Sequence, residues 1–242
     1  MVSFLTNNNK FKRLVVGNVF KSGRNFSGKK IIGNKNYINN RNIHIIDFKR
    51  KWSNNLAVCL KISKDSNRSC YTALIKYSNG SYSYILASHE LKPGNFLFSS
   101  IKPLKFIKLQ KSCCSVILKY LNYSTIFFNV ELFENEGFKY SRSAGTFCSL
   151  LNLNFEKNNA KIVLPSGIVK TISIYCFVTL GRASNINHKL EFYTKAGYFR
   201  NKGFRPNVRG VAMNPVDHPH GGRTKTSSPE FTPWGKIAKK NK

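Results

Sequence analysis

Between Leu56 and Gly181 the apolar residues come in short runs, rich in β-branched and aromatic side chains and separated by turn signals. No stretch carries the 3.6-residue period of a long amphipathic helix. That pattern restricts the folded part of the chain to strands. LAVCLKIS (56–63), CYTALIKY (70–77) and SYSYILAS (81–88) form a first group. Asn79-Gly80 joins the second run to the third and predicts a hairpin. In the third run Tyr82, Tyr84 and Leu86 are expected on one face, with Ser81, Ser83 and Ile85 on the other. LKPGN (91–95) is a further turn, and short strands that close this quickly predict a small barrel. A second group follows in SVILKYL, TIFFNVELF, GTFCSLLNLNF, KIVLPSG, IVKTISI and YCFVTLG. Pro165-Ser166-Gly167 is expected to turn one pair of these strands back on itself. Residues 110–123 read as the connection between the two groups.

After Leu190 the apolar pattern fades. From Ala196 to Lys242 the chain is mostly basic residues, glycine, proline and polar residues, with single Phe and Trp between them. Such a segment is not expected to fold by itself, and extended it reaches up to roughly 150 Å. The first fifty residues hold charge and asparagine with little periodic signal, and KSGRNFSGKK (21–30) reads as an extended, phosphate-facing arm. The expected division is therefore a basic N-terminal extension over 1–50, β modules over 51–118 and 119–195, and a basic C-terminal extension over 196–242.

Charge decides what such extensions meet. Lys and Arg total 40 against 10 Asp and Glu, a formal net charge of +30, which opposes compaction and calls for a polyanionic partner. A membrane surface would want a basic amphipathic helix, and a bilayer an apolar run of about 18 residues; neither is present. Nucleic acid is the expected partner. The six cysteines form no C-x-x-C pair and lie mostly in strand-like surroundings, so buried reduced thiols are expected. The N-terminal MVSFLTNNNKFKRLVV has no apolar core for secretion, and no Arg- and Ser-rich transit peptide is evident. Abundant Asn, Lys, Ile, Phe, Tyr and Ser are the bias of an AT-rich genome, as in organelles and some reduced bacteria.

RPNVRGVAMNPVDHPHGGR (205–223) concentrates the chemistry. Pro206, Pro215 and Pro219 exclude a regular element. Asp217, His218 and His220 are good metal-ligand types, but ligands spaced around a rigid proline converge poorly on one ion and no further His or Cys cluster accompanies them. General acid–base work would need a positioned nucleophile or substrate contact. An RNA-penetrating loop accounts for every residue type: Gly210, Gly221 and Gly222 allow backbone amides to approach phosphates, Asn214, His218 and His220 can bond bases, sugars or phosphates, and Asp217 can accept from a base or hydroxyl or hold hydrated Mg²⁺. No P-loop, dinucleotide fingerprint or G-x-S-x-G elbow occurs, so no enzyme is expected. Glu131, Glu134 and Glu136 read as surface acids beside a basic neighbour such as Lys139.

GVAMNPVDHPHGG (210–222) strongly resembles the signature of the family of large-subunit ribosomal protein two. KSGRN (21–25), IIDFKR (45–50), DSNRSCYTALIKYSNGSYSYILA (65–87), SRSAGT (141–146), TLGRASN (179–185) and TPWGK (232–236) are similar to further blocks of that family, in its order. The resemblance implies an all-β fold, an OB-fold-like barrel followed by an SH3-like barrel, with long irregular basic extensions. It also implies a structural constituent of the large ribosomal subunit that binds large-subunit rRNA, supports subunit association and stands by the peptidyl-transferase region. His218 falls at a family histidine once discussed for peptide-bond formation, and the resemblance implies that RNA forms that centre. The chain departs from the family at Arg223-Thr224-Lys225, where another glycine and an acidic residue usually stand. It also departs in its short tail, its start, and residues 101–133, where Phe127 and Phe128 lie near a usual histidine.

The expected rRNA contacts are Lys21, Arg24 and Asn25 in the arm, Lys49 and Arg50, Arg68, Arg142 with Ser143 and Gly145, and Arg182. In the extension they are Lys195, Arg200, Lys202, Arg205, Arg209, Asn214, Asp217, His218, His220, Gly221, Gly222, Arg223, Trp234 and Lys236. Two readings stand for the Ser-Ala-Gly-Thr segment, close RNA approach or a turn the fold needs; two stand for Trp234, base stacking or a local protein contact. The expected partners are large-subunit rRNA, neighbouring ribosomal proteins and the small subunit, with no membrane and no homo-oligomer. No intrinsic cofactor is expected, only Mg²⁺ through the rRNA. A mitochondrial ribosome is the expected location, with plastid or bacterial cytoplasm as alternatives. The rival function is a ribosome-independent RNA chaperone or RNA-binding module.

Overall fold

The computed structural model describes residues 13–18, 21–35, 41–50, 54–100, 113–222 and 230–238. The chain gathers into two compact units, each built from two separate stretches: residues 1–18 with 40–192, and residues 19–39 with 193–242.

The first unit is all-β. Strands β1 (Val15–Asn18) and β2 (Arg41–His44) form an antiparallel pair. Strands β3 (Leu56–Lys64), β4 (Tyr71–Tyr77), β5 (Tyr82–Leu86) and β6 (Phe96–Ser100) make the first module, hydrogen-bonded in the order β6-β3-β4-β5 and antiparallel throughout. The β4–β5 hairpin is where Asn79-Gly80 predicts it. Its loop has three residues, closed by Tyr77 N–H to the Ser81 carbonyl at 2.9 Å, and only Gly80 takes a left-handed φ, of +79°. Strand β5 departs from the alternation expected of it: Ser83, Tyr84, Ile85 and Leu86 are all buried. The cause is a second layer. His44 stacks on Tyr84 with ring centres 4.1 Å apart, Ile46 bridges to Tyr84, and Asp47 N–H donates to the Tyr84 carbonyl at 2.8 Å. Residues 41–50, grouped with the extension on sequence grounds, thus cover what would have been a solvated strand face.

The second module comprises β7 (Ser115–Ile117), β8 (Ile126–Phe128), β11 (Cys148–Asn154), β12 (Asn159–Val163), β13 (Val169–Ser173) and β14 (Phe177–Leu180), in the order β13-β12-β11-β8-β14-β7. β9 (Val130–Glu131) and β10 (Phe138–Tyr140) form a separate two-stranded ladder. The β12–β13 turn is the predicted one: Leu164 N–H donates to the Ile168 carbonyl at 3.0 Å around Pro165-Ser166-Gly167. Parallel pairing of β6 with β7 joins both modules into one open ten-stranded sheet.

Each module has its own core. Cys59, Ala73, Ile75, Ile85, Leu86 and Leu97 fill the first; Leu150, Ile162, Ile172, Ile174 and Val178 fill the second. Strand β8 serves both, because successive strand side chains point to opposite faces. Phe127 enters the second core and Phe128 the first, each 0% exposed. All six cysteines are buried free thiols, and burial pushes Cys59, Cys113 and Cys148 up to about 11 and Cys176 up to about 12.

Glu131 corrects the surface-acid reading. It is 1% exposed, and its carboxylate accepts Gly137 N–H at 3.1 Å and Phe177 N–H at 2.9 Å. It satisfies two buried donors that strand pairing leaves over. Glu136, by contrast, pairs with Lys139 at the surface as expected. Burial raises the Glu131 carboxyl above its usual range despite those hydrogen bonds. A raised folded-state value means that the native state holds its proton longer than the unfolded chain, so the contribution is full in acid and falls as pH rises. We therefore expect the stability advantage of the wild type over Glu131→Gln to be largest near pH 4 and to shrink toward pH 7, as read from urea midpoints across that range. An advantage that grows with pH would contradict this burial.

The second unit joins the arm to the C-terminal stretch. Lys35 pairs with Phe204 in an antiparallel bridge, Arg205 N–H donates to the Asn34 carbonyl at 2.9 Å, and the Lys35 ammonium lies 3.6 Å above the Phe204 ring centre. The one α-helix among the described residues, α1 (Ala196–Asn201), was not expected from the sequence. Tyr193 and Tyr198 stack at 3.8 Å, and Phe199 meets both edge-on. Tyr193, Tyr198 and Phe199 thus cluster within the extension itself, and the arm adds Lys35 over Phe204.

Candidate nucleic-acid interface

In the second unit the stretch 210–222 is a loop folded upon itself. Asn214 accepts the N–H groups of Asp217 at 2.9 Å and His218 at 3.2 Å, His218 accepts Gly221 N–H at 2.8 Å, and Met213 accepts Gly222 N–H at 3.2 Å. The glycines make this closure possible. A Cβ on Gly210 would lie 2.5 Å from the His218 ring, one on Gly221 would lie 2.3 Å from the Asn214 carbonyl oxygen, and one on Gly222 would lie 2.5 Å from Pro215 Cγ. The amides of Gly221 and Gly222 are therefore engaged within the loop and do not supply the anion nest expected of them.

The histidines are also used internally. His218 is 7% exposed and its Nδ1 accepts His220 N–H at 3.0 Å; His220 Nε2 accepts Phe231 N–H at 3.0 Å. Accepting in this way sets the tautomers, with the proton on Nε2 of His218 and on Nδ1 of His220. The run Asn214, Pro215, Val216 and Asp217 is exposed throughout, with Val216 at 90%. Among the described residues, no three His, Cys, Asp or Glu side chains gather as metal ligands do.

The other expected contacts in this unit divide into internally bonded and exposed side chains. Arg24 Nη1 donates to the Gly28 carbonyl at 2.9 Å, and the Asn25 side-chain oxygen accepts from Ser27 Oγ and Lys29 N–H at 2.8 Å each, so both shape the arm's own turn. Lys202 lies over the Tyr193 and Tyr198 rings at 4.8 and 4.2 Å. Lys21, Lys195, Arg200, Arg205, Arg209 and Lys236 are exposed, and Trp234 stands 55% exposed in the turn that Thr232 N–H and the Lys236 carbonyl close at 2.7 Å. Arg223 lies outside the described residues.

In the first unit the loops that carry Arg68, Arg142 and Arg182 are hydrogen-bonded to one another. Ala144 N–H donates to Ser69 Oγ at 3.2 Å, Asn185 Nδ2 to the Ser69 carbonyl at 2.8 Å, and Arg182 Nε to the Gly145 carbonyl at 2.7 Å. Arg68 and Arg142 share one ring: their guanidinium carbons lie 5.3 and 5.1 Å from the centre of Phe48. The buried Asp65 carboxylate, 3.2 Å from Arg68 Nε, steadies the first of them. Arg182 sits 5.1 Å from the centre of the Phe147 ring. Cations braced on aromatic faces lose little further freedom on meeting a phosphate. Ser143 is exposed, whereas Gly145 is buried at φ +66°, and a Cβ there would lie 3.1 Å from Ile186 Cα; the fold needs that turn.

Lys49 is exposed, but Arg50 is only 4% exposed and its Nε donates to Ser115 Oγ at 2.9 Å. Its guanidinium is turned into the protein. Sequence reading missed Phe48, Ser69, Phe147, Phe199 and Phe204, the residues that brace the arginines or line their surroundings. For Phe48, Phe199 and Phe204 the available signal was an aromatic next to a basic residue; Ser69 and Phe147 had none of that kind.

Comparison with known proteins covers most of the chain. Residues 11–99 match the family model described as Ribosomal Proteins L2, RNA binding N-terminal domain, and residues 111–235 match Ribosomal Proteins L2, C-terminal domain. The large ribosomal subunit protein uL2 of Orientia tsutsugamushi is 40% identical over 96% of this chain and 83% of its own length. Those of Cereibacter sphaeroides and Mycoplasma pneumoniae are 36% and 37% identical, each over 96% of this chain and 81% of their own length.

Proposed function

The chain belongs to the ribosomal L2 family, and we propose that in the large subunit it acts by binding alone, with no chemistry of its own. Its two strand modules are the family's OB-fold-like and SH3-like barrels, and its role is that of a structural, RNA-binding protein of the large ribosomal subunit. The finer reading is that it supports the peptidyl-transferase region and subunit association, contacts the small subunit, stays monomeric and off membranes, and needs no cofactor beyond Mg²⁺ held by rRNA. We assign it to a mitochondrial ribosome on its Asn-, Lys- and Ile-rich composition; plastid and bacterial cytoplasm are the alternatives, and the relatives compared are bacterial.

One observation carries the binding-only reading. The histidine best placed by sequence for proton transfer, His218, is almost fully buried, rests against Gly210 and already accepts a backbone N–H on Nδ1. A side chain held that way shapes a loop; a general base must reach its substrate. The free energy of binding then comes from phosphate neutralisation by a chain at +30 and from prefolded loops that lose little entropy on docking.

The test is His218→Ala as the sole copy. A catalytic histidine would forfeit about 10²–10⁴ in rate. The expected result is a reduced yield of large subunits, with peptide-bond formation per assembled subunit falling by far less than that. Normal subunit yield with peptide-bond formation abolished would overturn the reading.

A further inference from the structure

The second unit holds a cleft of about 650 Å³ whose apolar lining the expected phosphate contacts do not explain. Phe199, Phe204 and Pro206 line it together with Arg200 and Arg205. Both phenylalanines are conspicuously wet, Phe199 at 48% and Phe204 at 40% exposure, although the unit has aromatic partners to bury them against. They are nevertheless held in place. Tyr193 and Tyr198 meet Phe199 edge-on at 5.8 and 5.7 Å, and the Lys35 ammonium caps Phe204 at 3.6 Å. Rigid, partly exposed rings beside two guanidinium groups make a preorganised site for something flat, apolar and flanked by negative charge.

The composition of this unit narrows the class further. Residues 19–39 and 193–242, which form this unit, contain sixteen Lys and Arg against two acidic residues, Asp217 and Glu230. An apolar peptide would gain nothing from that field, whereas a nucleotide fits both halves of it. Its base offers a π-face to phenylalanine or guanidinium, and its phosphates pair with arginine. A segment that only tracked the RNA backbone would need the arginines and not the exposed rings.

We propose that this cleft receives one unstacked base of the bound RNA against Phe199, Phe204 and Pro206, while Arg200 and Arg205 take the phosphates flanking it. The proposal rests on the ribosomal reading above and adds to it a base-accepting site. It makes α1 and the chain after it a reader of local RNA shape, dependent on a nucleotide that is out of its stack.

The experiment uses large subunits purified from cells whose only copy carries Phe199→Leu, which keeps the apolar volume and removes the flat ring. Base and 2′-hydroxyl reactivities are mapped along the rRNA in wild-type and variant subunits. The expected result is a several-fold rise in reactivity at one nucleotide, with the rest of the map unchanged. Where Phe199→Leu lowers assembly, p-benzoylphenylalanine at position 199 reports on subunits that do form, and irradiation is expected to give a crosslink to a single nucleotide. Crosslinks spread along the RNA would mean backbone tracking and overturn the proposal, as would a crosslink to another protein. An unchanged reactivity map in subunits that contain the variant would overturn it while leaving the ribosomal reading intact. Absence of the wild-type chain from large subunits would instead bring down both.

Discussion

Gly221→Ala is expected to reduce large-subunit yield severely, while Gly33→Ala in the same unit leaves it near normal. The two substitutions add the same methyl group. At Gly33 the new Cβ would have nothing within 4 Å, but at Gly221 it would lie 2.3 Å from the Asn214 carbonyl oxygen and 2.6 Å from that of Met213. Both obstructions are backbone, so no rotamer change relieves them. Met213 and Asn214 also accept the hydrogen bonds from Gly222, Asp217 and His218 that close the loop. Forcing them apart costs at least about 1–3 kcal/mol, as overpacking does elsewhere. With each 1.4 kcal/mol worth about tenfold, the closed loop loses roughly 5- to 160-fold in population relative to open forms. Sedimentation of ribosomes from cells carrying each variant as sole copy makes the comparison, and equal yields from the two would show that the loop does not need this closure.

Phe127→Ala should destabilise the first unit by about 3–5 kcal/mol, the usual cost of emptying a buried phenylalanine site. Phe127 is 0% exposed and packs with Leu150, Ile162 and Val178, on a strand paired to both β11 and β14. A domain of ordinary stability has only about 5–15 kcal/mol in all, so the loss approaches the whole margin of a protein already strained by its own charge. Ile126→Ala, next door and 49% exposed, serves as the control and should cost far less. Urea unfolding of the full chain, followed by tryptophan-independent far-UV signal, reads both. Similar midpoints for the two variants would mean that β8 does not hold the second core.

Much of the fold was legible because strand periodicity and turn chemistry are local. Gly80 and the Pro165-Ser166-Gly167 turn lie where the sequence predicts them, since each needs only the conformational preference of its own residues. Burial on β5 was not legible, because the layer that covers Tyr84 comes from His44 and Ile46, far away along the chain. The same holds for Glu131, whose clustering with Glu134 and Glu136 beside Lys139 suggested a surface position. Its two donors, Gly137 and Phe177, meet only after β9 and β14 are in place. Around the candidate interface, residue type suggested Arg68, Arg142 and Arg182 as RNA contacts, but gave no hint that they rest on Phe48 and Phe147. Arg50 has the same type but turns inward to Ser115. Charge is written in the sequence; direction is not.

By itself, then, the sequence determined the all-β class, the placing of the turns, the polyanionic partner and the family to which the motif at 210–222 belongs. Tertiary structure alone decided that the glycines and histidines of that motif close a loop on itself, that Phe48 is shared by two arginines, and that the arm and extension form one unit. The physical reason is range. Backbone preference, periodicity and net charge act through neighbours or through the whole composition, so they survive in a one-dimensional string. Which carbonyl an amide meets, or which ring a cation rests on, depends on residues brought together only by packing.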